Sequence, residues 1–185
     1  GIRFFRRMAG LGIAIFAGIG KRAYFLLSAF AALYKEPKTY LPLIIPQMRS
    51  IGVDSLVLTA IVSAFIGSVI ALQTRYQLFP GVQLSVVGLI VRQSIVLELG
   101  PLLTGLVLTG RVGARMTAEI GTMRVTEQID ALETLAYDPM AYLVVPRLIA
   151  ATLMLPILVF FANAIGVGVA FFTAVIATDV SWADF

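Results

Sequence analysis

Glu98 is an acid set inside an apolar segment. An isolated charge is costly there, so such an acid marks a cavity, a pathway or a paired charge. Arg92 lies six residues earlier, about 240° around a helix, too far round to be its partner within one helix. Both could instead sit at headgroup level and snorkel. We assign that role to Arg92, whereas Glu98, followed closely by Gly100-Pro101, is read as lining a cavity. A second group of charges, Glu119, Arg124, Glu127, Asp130 and Glu133, alternates with Ile120, Met123, Val125, Ile129 and Leu132. Thr126 suits a helix N-cap, with Glu127 in the first turn where the helix dipole favours an acid. The spacing predicts a short amphipathic helix over 123–137, closed by Asp138-Pro139. Glu127, Asp130 and Glu133 share one side of it. That pattern fits a docking element for a soluble partner, or a solvated stretch whose charges keep it out of lipid.

Other chemistries are excluded by residue type. The 185 residues contain no His and no Cys, which removes the disulfide, the thiol nucleophile, the Cys/His zinc site and the histidine base of a triad. There is no HExxH, no GxSxG and no acidic calcium loop, so no metal site is expected. Lys21 follows Gly20, but Ile15 stands where a phosphate-binding loop needs glycine. A Ser–Lys dyad would have to draw on lysines confined to residues 21–38.

The elements that must position these groups are set by hydropathy. Apolar residues make up 59% of the chain and charged ones 13%, with a mean hydropathy of +0.97. Soluble domains run about 45–50% apolar and about 25% charged, and a domain of this size has too little interior to bury the excess. The class predicted is an all-α integral membrane protein. Residues 1–49 carry Arg3, Arg6, Arg7, Lys21 and Arg22 within an arc of roughly 160°, the pattern of an amphipathic helix lying in the membrane interface. Gly10, Gly12, Gly18 and Gly20 argue against one unbroken helix there. A signal peptide is the competing reading. Three transmembrane helices follow, at 50–74, 82–110 and 147–178, with a charged cytoplasmic loop at 111–146 and a tight exit loop at 75–81. Small residues recur every four positions in the first span (Ser63, Gly67, Ala71) and the third (Gly166, Ala170), as close helix packing in lipid requires. The third span is interrupted by Pro156 and Asn163. The N-terminal fifty residues hold eight of the fourteen basic residues and one acid, Glu36, which places the N-terminus in the cytoplasm. The chain starts without Met and stops just past a span, which reads as a fragment.

Several stretches taken together are recognisable: Leu97-Glu98-Leu99-Gly100-Pro101, Gly110-Arg111-Val112-Gly113-Ala114 and Ala118-Glu119-Ile120-Gly121-Thr122-Met123. They continue with Glu127-Gln128-Ile129-Asp130-Ala131-Leu132-Glu133, Asp138-Pro139 and Tyr142-Leu143-Val144-Val145-Pro146-Arg147. This set closely resembles the MlaE/YrbE family of permeases, membrane subunits of ABC transporters that work with MCE proteins on lipids. The likeness covers roughly 45–178 and is dense across 97–147. One departure is Leu97, where many members have arginine. The resemblance implies a single permease transmembrane domain in the bacterial inner membrane, a plastid inner envelope being the lesser alternative. It implies five spans, of which the last two are missing here. It further implies a homodimer working with two ATPase subunits and an MCE oligomer to move phospholipid, with no nucleic-acid partner. ATP and magnesium belong to the partner ATPase, and no cofactor is expected in this chain. Coupling to the ATPase falls to Glu119, Met123, Arg124, Glu127, Gln128, Asp130 and Glu133, and a lipid cavity to Leu97, Glu98, Leu99 and Pro101. Helix packing falls to Ser63, Gly67, Ala71, Gly110, Gly113, Gly166 and Ala170. The rival class is an ion- or proton-coupled carrier or channel using Glu98.

Overall fold

The computed structural model describes residues 2–35, 37–77 and 85–177. Seven α-helices account for almost all of them: α1 (Ile2–Lys35), α2 (Pro37–Met48), α3 (Asp54–Gln77), α4 (Ser85–Ser94), α5 (Gly100–Val125), α6 (Gln128–Thr134) and α7 (Val145–Ala177). Three π-helical turns, Arg49–Val53, Ile95–Leu99 and Met140–Val144, join α2 to α3, α4 to α5, and the 138–139 corner to α7. No strand occurs among the described residues. The stretches 40–77, 88–125 and 140–177 are each 38 residues long and apolar enough to cross a membrane, and 16–33 also qualifies by length and composition. Large apolar side chains face outward along them, including Phe65, Leu106, Phe160 and Ile176. Helices close their own backbone hydrogen bonds, so they can present such faces to lipid. The molecule is an all-α integral membrane protein.

Two of the π turns have the same cause. Pro101 and Pro146 lack an amide hydrogen, and each proline ring crowds the carbonyl four residues back. The preceding amide in each case reaches five residues back instead: Gly100 donates to the Ile95 carbonyl and Val145 to that of Met140. The helix widens by one residue and continues. Pro156 lies inside α7 without ending it.

The core seam joins α3 to α7. On α3 the buried residues are Ser55, Thr59, Ser63, Gly67 and Ala71; on α7 they include Leu158, Ala162, Gly166, Ala170 and Ala174. Each stripe repeats every fourth residue, so one ridge of each helix faces the other. Gly52 packs on Met154, Gly67 on the Gly166 backbone, and Thr173 lies 3.4 Å from Ser68. Contacts that advance together along both helices make α3 and α7 parallel. α5 runs the opposite way, since its early residues reach Gly166 level and its later ones reach Asp54.

Several boundaries differ from those read in the sequence. α1 is one helix that its four glycines do not interrupt; only Ala29 and Ala32, near its end, are buried among its described side chains. Lys21 and Arg22 are exposed on it, while the side chains of Arg3, Arg6 and Arg7 lie outside the described ones. The helical stretch that holds the first span begins earlier than 50, because α2 and the 49–53 turn continue into α3. Residues 111–125 are the last turns of α5 rather than loop, with Arg115 and Glu119 paired at i,i+4 spacing along it. The 75–81 exit loop is helical through Gln77, and its remainder lies outside the described residues, as does residue 178 of the third span.

Candidate functional site

The charged end of the bundle is built on two left-handed residues. Thr126 does not cap the following helix but ends α5. Its hydroxyl donates to the Thr122 carbonyl at 2.8 Å, and its amide donates to the same oxygen at 3.0 Å. Such back-bonding is the usual competitor of N-capping for threonine. Glu127 then turns at φ 57°, and its carbonyl accepts the first bond of α6 from Ala131 at 3.0 Å. The predicted 123–137 helix is therefore two pieces, with Met123 and Arg124 on α5 and Gln128 opening α6. α6 ends at Thr134 through Ala136 at φ 61°: the Ala136 amide donates to Glu133 and the Tyr137 amide to Leu132, both at 3.0 Å. This double closure satisfies the last carbonyls. Asp138-Pro139 does not close α6 but starts the next element. Asp138 Oδ1 accepts from the Met140 amide at 2.9 Å and its carbonyl from Tyr142 at 3.0 Å, an N-cap with proline at the first helical position.

Alanine in the left-handed region costs roughly 1 kcal/mol that glycine does not incur. Ala136→Gly is therefore expected to slow hydrogen exchange of the 131–137 amides by about fivefold, read by exchange mass spectrometry. Unchanged exchange would show that this turn does not limit opening of α6.

α6 has no buried residue. Glu127, Gln128, Asp130 and Glu133 are exposed, and Arg124 donates to Asp130 at 3.1 Å across the break. Val125, Leu135 and Tyr137 expose apolar surface beside these acids. Glu119 lies elsewhere, inside an ion chain that ties three helices. Arg115 Nη1 donates to Asp54 Oδ2 on α3 at 2.8 Å, and its Nε donates to Glu119 Oε1 at 3.1 Å. Glu119 Oε2 accepts from Arg147 Nη2 on α7 at 3.0 Å. Arg147 is 5% exposed, and its Nη1 donates to the Leu143 carbonyl at 3.0 Å.

Farther along the bundle, the Ile95–Leu99 turn borders two cavities. One, of about 10 Å³, is lined by Thr59, Ser63, Thr104, Leu99 and Gly100 among others, room for one water. The other is an open groove of about 240 Å³ between Phe65, Ile66, Val69, Ile70, Leu99 and Leu103, with apolar walls only. Leu99 borders both. Leu97, Glu98 and Pro101 point outward instead and line neither. Within this chain Glu98 is thus exposed on the outer face and borders neither cavity. Ser63, Gly67, Ala71, Gly166 and Ala170 lie in the α3–α7 seam. Gly110 and Gly113 do not, and nothing lies within 4 Å of where a side chain would start at either.

Comparison with known proteins places this architecture. Residues 44–185 match the family model for Permease MlaE. The chain belongs to the MlaE permease family. A Rickettsia bellii protein named "Probable ABC transporter permease protein" is 45% identical over 157 residues, 84% of this chain and 60% of its own length. A Haemophilus influenzae protein named "Intermembrane phospholipid transport system permease protein MlaE" is 34% identical over 168 residues, 90% of this chain and 63% of its own length. The chain therefore spans about 60% of the length of these relatives. In this MlaE-family chain, sequence reasoning did not select Asp54, Arg115 or Arg147. Arg115 and Glu119 are four apart and carry a local signal. Asp54 and Arg147 carry none, being brought in only by the antiparallel course of α5.

Proposed function

We propose that this chain is the permease subunit of an ABC transporter that moves phospholipid between the inner membrane and an MCE-protein channel. It works as a homodimer, with ATP hydrolysis in partner ATPase subunits and its charged end toward the cytoplasm. The observation that carries this is α6: a helix without a buried residue, acidic on one side and flanked by apolar side chains, held between two left-handed residues at the end of a long span. An exposed apolar patch rimmed by charge suits a protein partner. The apolar groove beside Leu99 suits an acyl chain. The names borne by the Rickettsia and Haemophilus relatives agree with a permease and, for the latter, with phospholipid.

The test is purification of the complete gene product in mild detergent, with mass spectrometry of what accompanies it. An ATPase, an MCE protein and phospholipid together support the proposal. A lone homo-oligomer in several detergents overturns it in favour of an ion-coupled carrier using Glu98. The double variant Glu127→Lys/Glu133→Lys is expected to reduce ATPase co-purification at least tenfold by reversing charge on α6. Unchanged co-purification would remove α6 as the docking element.

A further inference from the structure

The ion chain is graded in strength from one end to the other. Asp54 and Arg115 leave 44% and 49% of their side chains exposed, whereas Arg147 leaves 6% and Glu119 37%. Exposed pairs are weak and screened by salt. A pair with one member buried separates far less readily, because separation strands a desolvated charge. Arg147 is held further by the Leu143 carbonyl. The buried residues of α5 are Thr104 and Leu108, and none from 109 to 125 is buried. Over that half of α5, the ion pairs are its cross-helix hydrogen bonds to α3 and α7 among the described residues. α6 is attached to the end of this half.

We infer that Glu119–Arg147 is a pivot and Arg115–Asp54 a release, so that the α5–α6 arm swings away from α3 while staying fixed to α7. Arg147 and Asp54 are then positioning residues that decide where α6 is presented. The inference rests on α6 being the coupling helix, but its geometry can be tested without the ATPase. The chain has no cysteine, so spin labels can be placed on exposed positions by Val57→Cys, Ala118→Cys and Leu148→Cys, and distances measured by pulsed electron resonance in lipid nanodiscs. Asp54→Asn, which keeps the side chain's shape, is expected to lengthen the Val57–Ala118 distance and leave Ala118–Leu148 unchanged. Raising salt from 0.05 to 1 M (about 14 to 3 Å screening length) should do the same to the protein with Asp54 intact and nothing more to Asp54→Asn. An Asp54→Asn protein with neither distance altered, or with both altered equally, overturns the inference. In the assembled complex, a non-hydrolysable nucleotide should shift the first distance and not the second. Failure of ATPase to co-purify would count against α6 docking alone, and the nanodisc distances would still decide for or against the pivot.

Discussion

Gly67→Ala is expected to lower the stability of the detergent-solubilised protein by about 3 kcal/mol, the upper end for overpacking a core. The added methyl would fall on the carbonyl oxygen and backbone of Gly166. Backbone cannot rotate away as a side chain can, so α3 and α7 must separate along the seam, and van der Waals contacts are lost well beyond the mutated residue. In lipid those contacts are the main cohesion, because no hydrophobic gain drives helix on helix. Thermal unfolding followed by size-exclusion profile measures the effect. Gly110→Ala is the control: it meets nothing within 4 Å and removes a helix-interior glycine, so it should be neutral or stabilise by up to about 1 kcal/mol. Equal behaviour of the two variants would show that the seam does not limit stability.

Glu119→Ala is expected to cost about 3 kcal/mol, and Arg147→Met only about 1 kcal/mol. The asymmetry follows from burial. Removing Glu119 leaves the buried Arg147 guanidinium with the Leu143 carbonyl as its hydrogen-bond partner, and an uncompensated buried charge is strongly destabilising. Removing Arg147 leaves Glu119 partly exposed and still paired with Arg115, while methionine, an apolar chain shorter than arginine, fills part of the space without a charge. The double variant should be less damaging than the sum of the two, a coupling measurable as a double-mutant cycle. Additive losses would show that the pair contributes nothing as a pair.

The membrane class, the helical content and the stretches long enough to span were legible because hydropathy and run length are properties of the chain itself. Small residues every fourth position on α3 and α7 were legible for the same reason, but spacing does not say which of them meet. Gly67 and Gly110 look alike in sequence, yet one abuts a backbone and the other faces open space. The start of α6 was misread because a threonine can cap forward or bond backward. In Thr126 the choice fell on the Thr122 carbonyl. The π turns before Pro101 and Pro146 were not legible, because a proline that ends a helix and one that widens it by a residue leave the same signal. The pairings of Asp54 and Arg147 were invisible: 61 residues separate Asp54 from Arg115 and 28 separate Arg147 from Glu119, so only the folded path brings them near.

The parallel course of α3 and α7 bears on how the protein is made. Parallel neighbours cannot be consecutive, so α3 enters the membrane about 100 residues before the helix that covers it. During synthesis Ser63 and Gly67 wait without Ala162 and Gly166, and a ribosome adding about 5–20 residues per second leaves them so for roughly 5–20 s. Over that interval the stripe has only the Ile95–Val107 stretch beside Thr59 and Ser63, and the side that α7 will cover faces lipid, the insertion machinery or another nascent chain. This period is when a chaperone of membrane insertion would matter most. It is also when two copies made side by side could pair α3 of one with α7 of the other.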